Sequence, residues 1–187
     1  MTKHRKVLMT ALVVGLAAAV GGFGVFAAFS GTTTNPNNSF AAGTVTIEDN
    51  DGDTALFSNA VKQKPGDYDR CIKVKYTGSL DATVKLYSSA ISGTGSDLNV
   101  TIAKGTGANA DCSDFASPTT VFGPDTLANF DNHSGFANGL AVNPGAATKW
   151  VTNDEVTFRF RITVPDANSA QGKVVDPFTL TWEAQNQ

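Results

Sequence analysis

From Ser39 onward the apolar and polar positions of this chain repeat with a period of two rather than 3.6. The clearest stretch is EVTFRFRITV, where Val156, Phe158, Phe160, Ile162 and Val164 alternate with Glu155, Thr157, Arg159, Arg161 and Thr163. Successive side chains of a strand point to opposite faces, so strict alternation predicts a long antiparallel strand with one wet face. FTLTWEA repeats the pattern, with Phe178, Leu180, Trp182 and Ala184 opposite Thr179, Thr181 and Glu183. Ile72, Val74 and Tyr76 alternate with Lys73 and Lys75, and Leu98, Val100 and Ile102 with Asn99 and Thr101. Val84 with Leu86, and Val45 with Ile47, complete six predicted strands. Clusters of Gly, Pro, Asn and Asp separate them (DNDGD, KPGD, TGS, SGTGS, KGTGANAD, GPD, NHSG, NPG and VPDAN), and such residues break strands and make reversals. After Phe29 the best helical candidate is the short TLANF around Leu127. Many short strands with turn punctuation predict an all-β domain, a single jelly-roll-like antiparallel β-sandwich over residues 40–187.

The N-terminus has a different pattern. Lys3, His4, Arg5 and Lys6 precede an uncharged apolar run from Val7 to Phe29. A positive n-region followed by an apolar core reads as a secretory signal peptide, here a helix over residues 1–27. Val25 and Ala27 supply the small residues needed at −3 and −1, placing the cut between Ala27 and Ala28; a cut after Ser30 is the second choice. The alternative is an uncleaved anchor, since the run is long enough to span a bilayer. Residues 28–39, polar and rich in Thr and Asn, then form an extended arm ahead of the sandwich. With cleavage, contact with the membrane is only transient and the product is secreted or displayed at the cell surface.

Composition narrows the partners. The chain has 187 residues, 41% hydrophobic and 17% charged, a balance unlike that of disordered chains or coiled coils. Losing Lys3, Arg5 and Lys6 with the leader leaves 11 basic against 17 acidic residues, a net charge of −6. An acidic exported chain is not built to bind nucleic acid or an anionic membrane surface.

Catalytic residue types are scarce. His133 is the single histidine outside the leader, and an HExxH zinc site needs two histidines one helical turn apart with a glutamate base. Asp49, Asp51 and Asp53 in EDNDGDT invite a calcium reading, because alternate aspartates can present oxygens to one hard cation. An EF-type loop starting at Asp49 would need Gly and Glu where Thr54 and Ala60 stand, so a polar loop after a strand is the simpler account. GTGANA, Gly105 to Ala110, matches a dinucleotide loop loosely, but DCSDFASPTT follows it where that motif requires a helix. These tests predict no catalytic residue, no metal site and no cofactor. Cys71 and Cys112 are both in the exported part, where an even count suggests one disulfide, two free thiols being the alternative. The bond would close a loop of roughly forty residues, worth about 4 kcal/mol on the loop-entropy model. By parity Cys71 lies on the wet Lys73/Lys75 side of its strand, so the bond would pin a surface loop to a sheet edge.

VFAAFS followed by NSFAAGTVTI resembles the start of the TasA/camelysin family of exported bacterial proteins, with Phe40, Ala41, Gly43, Thr44, Val45 and Ile47 fitting its pattern. The likeness continues through KPGDYDRCIKVKYTGSLDATVKLY and closes at FTLTWEAQNQ, thinning between Ser89 and Lys149. The resemblance implies a jelly-roll domain, cleavage by a dedicated signal peptidase, and a role in the extracellular fibres of a biofilm matrix. Some members carry a metallopeptidase label, for which no ligand set is visible here. The cysteine pair departs from the best-known members and is similar to actinobacterial-type exported proteins with this signal.

Two function classes follow. A matrix subunit needs a stable sandwich and an exposed edge, and self-association into filaments would use the arm, with Phe29 as an apolar anchor and the core strands starting near Phe40. A camelysin-like metal-dependent peptidase needs ligands that the sequence does not supply.

Overall fold

A computed structural model describes residues 42–52, 54–57, 64–89, 91, 95–167, 175 and 178–186. The leader, the arm and their boundaries lie outside these residues, as do Ala27, Ala28, Phe29, Phe40 and Asp53. The described chain forms eight strands in two antiparallel sheets. They are β1 (Ile47–Asp49), β2 (Gly66–Tyr76), β3 (Thr83–Ser89), β4 (Asn99–Thr106), β5 (Ala116–Thr126), β6 (Leu140–Ala141), β7 (Glu155–Val164) and β8 (Thr179–Gln185). One sheet has the order β1-β2-β7-β4-β5 and the other β6-β3-β8. β7, late in the chain, thus sits between β2 and β4, and the chain changes sheets between β2 and β3 and again between β3 and β4. This is the all-β sandwich that the alternation predicts.

The alternating strands bury the expected faces. Val156, Phe158 and Phe160 of β7, Ile72, Val74 and Tyr76 of β2, Val84 and Leu86 of β3, and Val100 and Ile102 of β4 form one continuous core. TLANF supplies the single-turn helix α1 (Leu127–Phe130), with Thr126 as its N-cap accepting the Asn129 N–H, and buries Leu127 and Phe130. Trp150 is fully buried, exchanges both main-chain hydrogen bonds with Ala82, and donates its indole N–H to the Val142 carbonyl at 3.2 Å. A tryptophan body in the core with its polar tip satisfied is the stable way to bury this side chain.

β5 is a strand that alternation does not reveal. Its sequence ASPTTVFGPDT has little apolar patterning, its first five residues are exposed, and its pairing with β4 shifts register three times. As the margin of its sheet it tolerates Pro118 and Pro124, which a central strand would not.

Candidate functional site

The outer face of the larger sheet is mostly the wet face that parity assigns. Asp67 and Asp69 on β2 face Thr163 and Arg161 on β7. Arg161 grips Asp69 through two parallel bonds, Nε to Oδ1 and Nη2 to Oδ2, both 2.8 Å, and Thr163 Oγ1 donates to Asp67 at 2.7 Å. The guanidinium holds the Asp69 carboxyl below its usual range, against a smaller upward push from burial. Further along, Lys73 and Lys75 flank Glu155 at 3.2 and 3.6 Å and lower its pKa.

Ala103, Thr157 and Cys71 on this face break the rule. Ala103 and Thr157 are 2% exposed and Cys71 3% exposed. For Thr157 and Cys71 the cause is the loop between β4 and β5, residues 107–115, which folds back over the sheet. Thr157 Oγ1 donates to the Gly107 carbonyl, Phe115 lies beneath the Arg159 guanidinium at 4.9 Å, and Cys112 is joined to Cys71 in a disulfide with Cα atoms 5.2 Å apart. Gly105 is required under this loop, because a Cβ there would run into the Ala116 carbonyl and meet the Phe115 ring at 2.9 Å. The loop holds its own shape: the Asp114 carboxylate accepts the N–H groups of Ala108 and Asn109, at 2.8 and 3.0 Å, and Asp111 accepts that of Ser113. These bonds lower both carboxyl pKa values. The GTGANA segment is therefore a loop over a sheet, not a phosphate cradle.

The smaller sheet has a margin of its own at β8. β8 pairs with β3 on one side, and among the described residues no strand lies on its other side. On β3, Ala82 and Ser88 donate toward Trp150 and His133, while Val84 accepts from Val142, so its even residues bond away from β8. The rungs to β8 are then Thr83–Gln185, Lys85–Glu183 and Tyr87–Thr181. Leu180, Trp182 and Ala184 consequently turn their main-chain N–H and C=O groups outward. Beside this margin a groove of about 780 Å³ runs between the sheets, lined by Ile47, Leu56, Phe57, Ile72, Val74, Phe178, Leu180 and Trp182 among others. Trp182 packs on Phe158 and Phe160 at 5.5 and 6.0 Å, but its indole Nε1, shut away from solvent, has no acceptor among the described residues. On the outer face of the same strand, Tyr87 donates to Glu183 at 2.7 Å, which raises the phenol pKa; Gln185 and Tyr87 together lower that of Glu183.

The other candidate residues have ordinary surroundings. The Asp49 carboxylate accepts the Asp51 N–H at 3.2 Å, closing a turn after β1. His133 is half-buried, its Nδ1 2.6 Å from the Asn138 carbonyl and its ring against Phe122 and Phe130. Among the described residues no three His, Cys, Asp or Glu side chains converge to hold a metal ion, and no helix is long and apolar enough to cross a membrane.

Two short segments far apart in the chain meet at one end of the sandwich. Thr44 N–H donates to Ser79 Oγ at 2.9 Å, Thr77 and Gly78 donate to the Thr46 carbonyl, and the Tyr76 hydroxyl donates to the Leu80 carbonyl. GTVTI and YTGSL, two of the stretches that carry the family resemblance, thus form one structural unit. Fold and motif together define an all-β sandwich protein. The model of the Camelysin metallo-endopeptidase family matches residues 2–135, and the chain belongs to that family. No curated protein matches it. The family description implies a metal ion, and among the described residues the donor set does not fit one: both cysteines are bonded to each other, His133 is committed to a carbonyl and two aromatic rings, and no three His, Cys, Asp or Glu side chains converge.

The disulfide and the surface loop it pins over the wet side of Cys71 are as parity and the cysteine count predict, whereas the burial of Thr157, the groove and the unsatisfied Trp182 were not signalled by alternation. Two aspartates beside a cysteine, Asp111 closing an Asx turn with Ser113 and Asp114 reaching back to Ala108 and Asn109, are the local sign that this loop is built rather than slack.

Proposed function

We propose that the chain is exported, cut by a dedicated signal peptidase between Ala27 and Ala28, and serves as a structural subunit of extracellular fibres. In this reading the arm, residues 28–39, of one copy adds as a strand along β8 of the next. The observation that carries it is the margin of β8: outward donors and acceptors at Leu180, Trp182 and Ala184, beside a groove whose lining is mainly apolar but includes Glu48, Asp49 and Asp51. Main-chain bonds along such a margin supply attraction, and pockets beneath take alternate side chains. Phe29 and Phe40 are apolar anchors suited to the groove, while Pro36 lacks an N–H and divides the pairing into two short segments. Head-to-tail addition does not close on itself, so it generates a filament.

Deleting Ala28 to Asn38 from the mature chain tests this. The expected product is a folded monomer that forms no filaments by electron microscopy. Filaments formed as readily as by the full mature chain would reduce the arm to a tail.

The family's description supports a second reading, a metal-dependent endopeptidase. It requires proteolysis by the pure protein that a chelator abolishes and added zinc restores. The structural reading expects no such activity, because the described side chains do not gather a ligand set.

A further inference from the structure

The disulfide loop reaches beyond the sheet face to a main-chain edge. β1 pairs with β2 only from Val74 to Tyr76, and among the described residues no strand continues that pairing toward Gly66. Tyr76 N–H donates to Asp154 on the β7 side, so the even residues of β2 bond toward β7 and the odd ones, Asp67, Asp69, Cys71 and Lys73, point to the free edge. The two edge donors next to β1 are answered by atoms that are not part of any strand. Lys73 N–H donates to Asn50 Oδ1 at 2.8 Å, and Cys71 N–H to the Ala110 carbonyl at 3.0 Å. Asn50 Nδ2 in turn donates to the Ala108 carbonyl at 3.0 Å, tying the two caps together, and the Cys71–Cys112 bond fixes the loop at this spot.

We propose that residues 107–115, with Asn50, are a guard over the free edge of β2, and that the edge beneath fits the same edge of a second copy. A bare edge is a template for another strand, and covering it with a loop is one way a protein prevents unwanted pairing. The uncovered edge is self-complementary. Antiparallel pairing of two copies centred on Arg70 sets Asp67 of each against Lys73 of the other, with Tyr68 opposite Ile72. Odd residues meet odd residues in that register, so outward donors and acceptors match at every rung. The inference stands apart from the fibre reading, because it concerns the edge of the larger sheet rather than that of the smaller one and is read at different amides.

The test is amide hydrogen exchange on the mature chain carrying Cys71→Ser and Cys112→Ser, over a range of protein concentrations. In the unmodified protein the amides of Cys71 and Lys73 are expected to be protected at every concentration. In the double variant they lose protection by about tenfold or more at low concentration, and regain it as concentration rises and a second copy pairs. The Ile72 and Val74 amides, which face β7, stay protected throughout and report that the fold is intact. Edge amides that remain protected at low concentration without the disulfide would overturn the proposal, as would lost protection that no concentration restores. If the double variant does not fold, Asn50→Ala keeps the disulfide and removes one cap; an unchanged Lys73 amide there would equally overturn it.

Discussion

β2 and β8 both carry main-chain donors and acceptors at a sheet margin, yet the two margins are treated in opposite ways. Along β2 the donors of Lys73 and Cys71 are satisfied by an asparagine side chain and a loop carbonyl, and a disulfide holds the loop in place. Along β8 the outward groups of Leu180, Trp182 and Ala184 have no described strand beside them, and the groove next to them is mainly apolar. The difference cannot lie in strand pattern, since both strands alternate. It lies in what the connections bring: the β4–β5 loop crosses the larger sheet, whereas no described loop covers β8. An edge strand is therefore a site or a liability according to a loop distant from it in sequence.

Four variants separate the two margins, from the largest effect to the smallest. Replacing both Cys71 and Cys112 by Ser removes a cross-link across a separation of 41 residues. It should lower stability by about 4 kcal/mol on the loop-entropy model, seen as a shift of the denaturant midpoint of the oxidised protein. On β8, Trp182→Ala deletes a half-buried ring from Phe158 and Phe160 and should cost about 2 kcal/mol, less than truncation of a fully buried aromatic. An effect equal to that of Trp150→Ala, in the closed core, would show that the groove is sealed in solution. Gly105→Ala forces Phe115 and the Ala116 carbonyl apart and should cost about 1–2 kcal/mol, with the loss concentrated in the loop's exchange protection.

The smallest effect is electrostatic. Asp69→Asn removes the two-pronged contact with Arg161, whose side chain is 39% exposed, and should cost about 1 kcal/mol after discounting for solvent. The folded Asp69 carboxyl titrates below its ordinary 3.8, so its stabilisation is complete above that pH and is lost as pH falls through the folded value. The gap between wild type and Asp69→Asn should be constant near neutrality and close below about pH 4. A gap that widened on acidification would contradict the assignment.

The strands that carry the core were legible because one face is buried and the other wet. Val156 to Val164 is the case in point: its parity survives into the structure down to the Arg161–Asp69 pair. Thr157 and Cys71 show where parity stops. Both lie on the wet side and both are buried, because burial there depends on a loop whose position only the folded topology fixes. β5 escaped because a sheet margin with two prolines and shifted register need not alternate. The candidate site was less legible than the fold. A groove between two sheets belongs to no segment, and Ile47, Ile72 and Leu180 read separately as ordinary core positions. The histidine count was legible too, and it sets a ceiling on any imidazole ligand set.

The central claim is that β8 receives the arm of a neighbouring copy. Amide hydrogen exchange at Leu180, Trp182 and Ala184, compared between the monomeric mature chain and its assembled form, tests it most directly. The account predicts that these three outward amides exchange quickly in the monomer and become strongly protected on assembly, while Thr181 and Glu183, already bonded to β3, change little. Filaments that form while all three amides keep their monomer rates would contradict it.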